Sequence, residues 1–296
     1  MDSGEQSERA RRLLGRLERC DICPRICRVN RVRGEKGECG TGQAARVASF
    51  GPHFGEEPPL TGWNGSGTVF FSRCNLHCAF CQNYDISHFE EGREVAAAAL
   101  ADIFLYLQRT GCHNLNLVTP THVTPQILEA LSHARERGLS LPVVYNCGGY
   151  ERLETLRELE GVIDIYMPDV KFLEPGPAAR YCGAPDYPMV VRAAVKEMAR
   201  QVGPLVLDGR GIALRGLLVR HLVMPGDAST TRKVIDFLAG EIGTDTYLNL
   251  MDQYRPCGRA YEFPEIARRT SPEEWGDARD YALSKGMSRL DGEHAP

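Results

Sequence analysis

From residue 68 to residue 251, short apolar runs alternate with stretches that have the spacing of amphipathic helices. The apolar runs are too short to be helices, which favours strands. Strands separated by helices predict a parallel sheet built from right-handed βαβ crossovers, most simply a partial barrel. The predicted strands are 68–72, 114–119, 141–146, 162–169, 217–224 and 246–251, and the predicted helices are 96–109, 124–137, 150–159, 190–202 and 230–242.

The segments outside this alternating pattern have a different character. Residues 7–19 predict a short amphipathic helix, whereas residues 20–67 are rich in Gly, Arg, Pro and Glu and predict an irregular extension held together by metal. The stretch 206–214 predicts the turn of an inserted hairpin or loop, and a last helix is expected at 272–285 with Ser271 as its N-cap. The predicted units are an N-terminal extension (1–67), a barrel (68–255) and a C-terminal segment with a helix packed on the barrel (256–296).

Charge and cysteine content narrow the class of protein. The chain has 35 basic and 39 acidic residues, a balance that does not favour nucleic-acid binding through bulk electrostatics. Its first residues are charged where a secretory signal needs an apolar stretch, and its apolar segments are too short to cross a membrane. We therefore expect a cytoplasmic protein whose eleven cysteines bind metal or take part in catalysis rather than form disulfides.

Three of these cysteines follow the first predicted strand with the spacing C-x3-C-x2-C. They are Cys74, Cys78 and Cys81. Three thiolates on one loop can ligate three irons of a cubane cluster and leave the fourth iron for S-adenosylmethionine, which one electron from the reduced cluster can cleave. A structural zinc site or a simple electron-transfer cluster needs four ligands, so the triplet favours radical chemistry. Phe80 is expected to pack on the adenine or to shield the cluster.

A second group of cysteines lies in the N-terminal extension, at Cys20, Cys23, Cys27 and Cys39. One metal site could use all four thiolates. A tetrahedral zinc site would hold together a Gly-rich segment that is too poor in apolar residues to fold alone. The alternative is an auxiliary [4Fe–4S] cluster that relays electrons or binds substrate. The sequence favours zinc over a second cluster, and either of these over thiols without metal.

Polar residues also follow the predicted strands. In a barrel of this kind the chemistry collects at the carboxyl ends of the strands, because the loops there converge on one mouth. The candidate residues in strand order are Thr119 and Thr121, Asn146 and Cys147, Asp169 and Lys171, and Arg220.

Taken together, these motifs resemble radical S-adenosylmethionine (SAM) enzymes, and within them proteins similar to the pyruvate formate-lyase-activating enzyme. The resemblance implies a TIM-like partial (β/α)6 barrel, a [4Fe–4S] cluster and the cleavage of SAM to methionine and a 5′-deoxyadenosyl radical. It also implies an electron donor such as flavodoxin or ferredoxin, and a glycine of a partner glycyl radical enzyme as the favoured substrate. A small molecule, a peptide or RNA is the alternative substrate. The resemblance runs from Cys20 to about Gly286 and is carried by GEEPPLTGWNGSGTVFFSRCNLHCAFCQNYDIS, NLVTPTHVTP, YNCGGYE, MPDVKF, VRHLVMPG and NLMDQYRP.

The resemblance further implies roles for individual residues. Lys171 and Arg220 resemble ligands of the methionyl group of SAM. The Gly-Gly-Glu that usually receives the methionyl amino group is replaced by residues 119–122, where the hydroxyls of Thr119 and Thr121 can accept the same hydrogen bond. The places that surround the SAM carboxylate and a monovalent cation are occupied by Asn146, Cys147, Met167 and Asp169.

Overall fold

The computed structural model describes residues 3–292, so residues 1, 2 and 293–296 of the predicted terminal segments lie outside it. Within the described residues a nine-stranded sheet forms the centre of the protein. Its strands are β1 (Ala45–His53), β2 (Ser66–Phe71), β3 (Arg93–Val95), β4 (Leu115–Val118), β5 (Val143–Cys147), β6 (Ile165–Pro168), β7 (Val206–Leu207), β8 (Ala213–Leu222) and β9 (Tyr247–Met251).

Helices connect these strands and cover the sheet. They are α1 (Ser3–Gly15), α2 (Pro58–Thr61), α3 (Tyr84–His88), α4 (Ala97–Arg109), α5 (Thr124–Glu136), α6 (Leu153–Glu158), α7 (Pro175–Cys182), α8 (Tyr187–Val202), α9 (Thr231–Phe237) and α10 (Pro272–Ser284). None of the helices in this part of the chain combines the length and the apolar character needed to span a bilayer.

Six strands pair in parallel in the order β2-β4-β5-β6-β8-β9. All six correspond to strands predicted from the sequence, and the α/β fold with a partial barrel of parallel strands is confirmed. Every residue of β4, β5 and β6 is buried, as expected for a parallel sheet with both faces covered. The carboxyl ends of the six strands therefore lie at one edge of the sheet.

The N-terminal extension is only partly irregular, and the prediction of an irregular segment over 20–67 is wrong for residues 45–53. These residues form β1, which pairs antiparallel with β2 on one side and with β3 on the other. Only Ala45 and Val47 of β1 are buried, and the rest of the strand is partly or fully exposed. With so short an alternating pattern and with Gly51 and Pro52 near its end, the strand resembles a loop in sequence.

The two ends of the chain pack on the barrel. Helix α1 contacts α5, and the Ser7 and Ser132 hydroxyls lie 2.7 Å apart across that contact. At the other end Ser271 caps α10 as predicted, in a capping box with Glu274. The Trp275 indole N–H donates to the Leu250 carbonyl of β9 over 2.8 Å. The predicted hairpin at 206–214 is also present, since β7 pairs antiparallel with β8.

Candidate active site

The carboxyl ends of the parallel strands surround one large cavity of about 820 Å³. That volume is in the upper part of the range of about 300–1,000 Å³ that is usual for ligand sites. The structure brings ten of the predicted site residues into its wall: Cys74, Cys78, Phe80, Cys81, Thr119, Asn146, Cys147, Asp169, Lys171 and Arg220.

The three-cysteine loop forms part of this wall directly after β2. The residue before it, Arg73, has the left-handed backbone with φ of 73°, which turns the chain sharply out of the strand. Two sulfurs of the loop accept hydrogen bonds. The Leu76 backbone N–H donates to Cys74 Sγ over 3.4 Å, and the Ser87 hydroxyl donates to Cys81 Sγ over 3.2 Å. Such bonds stabilise thiolates that ligate iron–sulfur clusters.

The thiols of this loop are protonated without a metal. Burial raises the pKa of Cys74 and of Cys81 above the usual range for a thiol. A hydrogen bond to Cys182, together with burial, raises the pKa of Cys78. Metal binding therefore has to displace three protons at this loop.

The loop fits a [4Fe–4S] cluster with one iron left open. Its three thiols face one cavity, two of the sulfurs already accept hydrogen bonds, and Leu76 and Phe80 give the same wall apolar cover. Across residues 3–292, no three His, Cys, Asp or Glu side chains converge as ligands of a single metal ion. A cluster spaces its thiolates around four irons rather than one. The spacing of these three thiols therefore fits a [4Fe–4S] cluster better than a single metal ion.

Phe80 is held in the cavity wall by other aromatic rings. Its ring meets Phe172 edge-on at 5.9 Å between centroids and lies 6.3 Å from the ring of Tyr254. Such ring pairs add to the stability gained from burial. Phe80 is thus a rigid apolar surface beside the three cysteines.

Asp169 and Lys171 form an ion pair in the cavity wall, with 2.5 Å between Asp169 Oδ2 and Lys171 Nζ. Although burial lowers the pKa of Lys171, the negative charge of Asp169 and the hydrogen bond to it outweigh burial and raise the pKa. Lys171 therefore carries a positive charge next to the cysteine loop. The Tyr187 hydroxyl fixes the backbone here by bonding to the carbonyls of Gly148 and Asp169, each over 2.8 Å.

Arg220 is bound by two carboxylates that sequence analysis did not assign. Its guanidinium donates to both oxygens of Glu57 over 2.6 Å and also contacts Glu56. Asn249 donates a further hydrogen bond to Glu57 over 2.8 Å. Burial alone would raise the pKa of Glu57, but the Arg220 charge holds it below the usual range. The adjacent acids of the GEEPP block were the available signal for this pair.

Thr119 and Thr121 are separated by the fold, and Thr121, predicted for the SAM site, does not line the cavity. Thr119 stays in the cavity wall with a left-handed backbone, φ of 59°. This conformation turns the following residues away from the cavity. Thr121 is buried and donates instead to Glu151 over 2.5 Å, while the Tyr145 hydroxyl donates to the other Glu151 oxygen over 3.1 Å. Burial raises the pKa of Glu151 to about 7.

Two further cysteine positions are informative. Cys182, at the end of the unpredicted helix α7, has its sulfur 3.2 Å from Cys78 Sγ. The four cysteines of the N-terminal extension line a second, much smaller cavity of about 10 Å³, together with Arg31, Gly37 and His122. The structure therefore brings the predicted second group of cysteines together at a site separate from the first.

Comparison with known proteins agrees with this arrangement. Residues 68–208 match the model of the Radical SAM superfamily. The match includes Cys74, Cys78 and Cys81 and begins after the N-terminal cysteines. An uncharacterized protein of Methanocaldococcus jannaschii is 31% identical over 240 residues, which are 78% of this chain and 64% of that protein. This chain thus spans less than two thirds of the length of that relative.

Two solved structures resemble this chain at low sequence identity, and the first of them shares its fold. A radical SAM methyltransferase from Sphaerobacter thermophilus superposes with a TM-score of 0.53 and 14% identity, over 75% of this chain and 64% of that chain. HydG, a maturase of the [FeFe]-hydrogenase, gives a TM-score of 0.47 and 14% identity, over 74% of this chain and 53% of that chain.

Proposed function

We propose that this chain is a radical SAM enzyme, since residues 68–208 match the model of that superfamily, and that Cys74, Cys78 and Cys81 hold its [4Fe–4S] cluster. SAM then binds in the adjoining cavity. When bound, the two groups supply a one-electron cleavage of SAM to methionine and a radical that abstracts hydrogen. We propose that this hydrogen comes from a glycine of a partner polypeptide.

The strand ends provide the groups that hold SAM in this proposal. Thr119, Asn146 and the backbone at Gly148 line the cavity with hydrogen-bonding atoms, and Lys171 adds a positive charge for the methionyl carboxylate. Asp169 keeps Lys171 in place through their ion pair. Phe80, fixed by Phe172, offers an apolar surface to the adenine or the cluster.

Arg220 has a different role from the one that its position suggested. With its guanidinium held by Glu56 and Glu57, it has little freedom to turn toward a ligand, and the trio forms a rigid polar wall. Asn249 extends this wall from β9. In our proposal this polar wall positions the substrate and does not rearrange when SAM binds, because breaking a buried ion pair is costly.

The size of the cavity, with its exposed rim, is the observation that carries the choice of a polypeptide substrate. Its rim includes the exposed residues Gly55, Asn83, Asp252 and Gln253, which come from loops at both edges of the parallel sheet. A volume of about 820 Å³ leaves room beside SAM for a segment of extended chain. Glycine lacks a side chain, so its backbone can approach the radical more closely than that of any other residue.

The test is anaerobic incubation of the reconstituted protein with dithionite and SAM, with and without a candidate glycyl radical enzyme. We expect 5′-deoxyadenosine and methionine in both reactions, and a stable EPR doublet on the partner polypeptide. The doublet should collapse when the partner carries glycine deuterated at Cα. SAM cleavage without a doublet on any partner, but with hydrogen loss from a small molecule, peptide or RNA, would exclude the glycyl radical proposal and leave the enzyme class intact.

A further inference from the structure

The N-terminal cysteines lie in a loop that has no regular strand to support it. Cys20, Cys23, Cys27 and Cys39 come from residues 20–39, where the only helical element is one short turn at Arg31–Arg33. Backbone bonds of 2.9 Å from Cys20 N to the Val29 carbonyl and 2.8 Å from Arg28 N to the Cys20 carbonyl close part of the loop. A loop of this kind gains its order from the group that its side chains bind.

A buried cation lies beside these thiols. Arg31 is 1% exposed and lines the same cavity, with its Nη1 at 3.9 Å from Cys20 Sγ. Its Nη2 is buried and has no hydrogen-bond partner among residues 3–292. Burying a charge that lacks a full set of partners is costly. Thiolates bound to metal carry the negative charge that would offset this cost, whereas protonated thiols carry none.

The arrangement of the sulfurs favours a cluster over zinc. Four sulfurs that bind one zinc ion each lie about 2.3 Å from it and so converge on one point. Within residues 3–292, no three Cys, His, Asp or Glu side chains converge in this way as ligands of one ion. The loop at Cys74–Cys81, which lies in the part of the chain that matches the Radical SAM superfamily, shares that property. A cubane spaces its thiolates around four irons, so the spacing at both loops fits a cluster.

The second loop also touches the first directly. Arg25, between Cys23 and Cys27, donates through Nε to the carbonyl of Asn75 over 2.9 Å, and Asn75 follows Cys74. A second connection runs from Arg31 to the His122 carbonyl over 2.8 Å, and from His122 Nε2 to the Ser72 carbonyl over 2.8 Å. One or two hydrogen-bonded side chains therefore separate the two sets of thiols.

From these observations we propose that Cys20, Cys23, Cys27 and Cys39 bind a second [4Fe–4S] cluster that is in electronic contact with the cluster at Cys74, Cys78 and Cys81. An external one-electron donor protein of low potential supplies the electron, which passes between the clusters while no bond forms or breaks. The electronic contact rests on the proposed first cluster. The ligand assignment of the second cluster does not, and it is independent of SAM and of the substrate.

Metal and sulfide content of protein purified and reconstituted without oxygen tests the ligand assignment. Wild type should contain about eight irons and eight sulfides per chain, the content of two cubanes. A variant with Cys74, Cys78 and Cys81 all changed to Ala should keep about four irons, and Cys27→Ala should also keep about four. About four irons and about one zinc in wild type would overturn the proposal.

A glycine pair gives a milder test that keeps all eleven thiols. A Cβ on Gly37 would lie 2.7 Å from both Cβ and Sγ of Cys27, whereas a Cβ on Gly42 would meet nothing within 4 Å. Gly37→Ala should therefore lower the iron content toward about four per chain, and Gly42→Ala should keep about eight. Equal iron content in the two variants would contradict the ligand role of Cys27.

EPR of the fully reduced protein tests the contact between the clusters. The wild-type spectrum should differ from the sum of the spectra of Cys27→Ala and of the triple Cys→Ala variant, because two nearby paramagnets split and broaden each other's signals. The microwave power needed to saturate the signal should also rise in wild type. A spectrum equal to the sum, with unchanged saturation, would overturn the electronic contact even if the iron content agreed.

Discussion

The two cysteine loops of this protein differ in the space that their sulfurs face. Cys74, Cys78 and Cys81 face a cavity of about 820 Å³ with an exposed rim, whereas the four N-terminal cysteines enclose about 10 Å³. Three ligands at an open cavity leave a coordination position for a small molecule, and four ligands around a closed space leave none. The number of cysteines and the volume beside them thus agree at each loop, and only the first loop has room for chemistry.

The buried charges near the two loops differ as well. The first loop shares its cavity with a paired cation, Lys171 with Asp169. The second has the cation Arg31, which is only partly partnered. A buried cation that is already paired with a carboxylate gains less electrostatic stabilisation from a bound anion than a buried cation that has no carboxylate partner. The contrast predicts that occupancy by an anionic metal centre matters more for folding at the second loop.

The largest expected effect is the loss of SAM cleavage when a cysteine of the first loop is replaced. Cys78→Ala removes one of three ligands at the open site, so SAM cleavage should be abolished while about four irons remain at the second loop. The matched control is Cys112→Ala, which changes a buried cysteine that lines neither cavity. The assay is 5′-deoxyadenosine formation with dithionite as reductant. Cleavage at the wild-type rate in Cys78→Ala would contradict the ligand assignment.

The buried acid Glu151, which binds Thr121 and Tyr145, has a pKa near neutral pH. Burial raises the pKa of Glu151 from 4.5 to about 7. The unfolded carboxyl ionises as the pH rises past its ordinary value while the folded one stays protonated, so wild type loses stability up to about pH 7. Glu151→Gln should escape this loss and gain roughly 2 kcal/mol over wild type between about pH 5.5 and about pH 7.

Urea unfolding without oxygen, measured at several pH values, checks the expected gain. Glu136→Gln is the matched control, since Glu136 is exposed on α5. A stability difference between Glu151→Gln and wild type that stays constant with pH would mean that Glu151 is ionised in the folded protein. Thr121 would then bind a carboxylate rather than a neutral acid.

Features that depend on residues close together in the sequence could be predicted, whereas contacts between distant residues could not. The parallel strands and their helices were predicted because their patterns are local and nearly every strand residue is buried. The cysteine triplet was likewise a local motif. The pairing of Arg220 with Glu57 joins residues 163 positions apart and depends on β1, a half-exposed strand without a clear pattern. The adjacent acids of the GEEPP block mark a charged segment, but no local pattern identifies the distant arginine that pairs with it.

Local backbone geometry explains the remaining differences. Thr119 and Thr121 are the same type of residue and lie two positions apart. Because the backbone at Thr119 is left-handed, Thr119 lines the cavity while Thr121 binds Glu151. Helix α7 was missed because its first turn contains Pro175, Gly176 and Pro177, which are typical of loops. That helix brings Cys182 to Cys78, so the missed helix also concealed a cysteine beside the site.

The contact between the loops predicts a smaller effect for Arg25. Arg25→Ala removes hydrogen bonds to the carbonyls of Asn75 and Gly183, the latter over 2.7 Å. Loss of charged hydrogen bonds of this kind should lower the free energy of unfolding by about 1–3 kcal/mol. Arg33→Ala changes an exposed arginine of the same loop and should have almost no effect. Equal melting temperatures for the two variants would show that the loops are coupled only through Arg31 and His122.

The smallest expected effect decides whether the first loop truly has three ligands. Cys182 lies 3.2 Å from Cys78 and is completely buried, so it is placed to become a fourth ligand. A fourth thiolate would fill the position that SAM needs and make the two loops alike. We expect Cys182→Ala to keep the iron content of wild type and a rate of SAM cleavage within about twofold of it, since a small buried thiol acts mainly in packing. Loss of about four irons in Cys182→Ala, or a rate far above that of wild type, would instead make Cys182 a ligand that SAM has to displace.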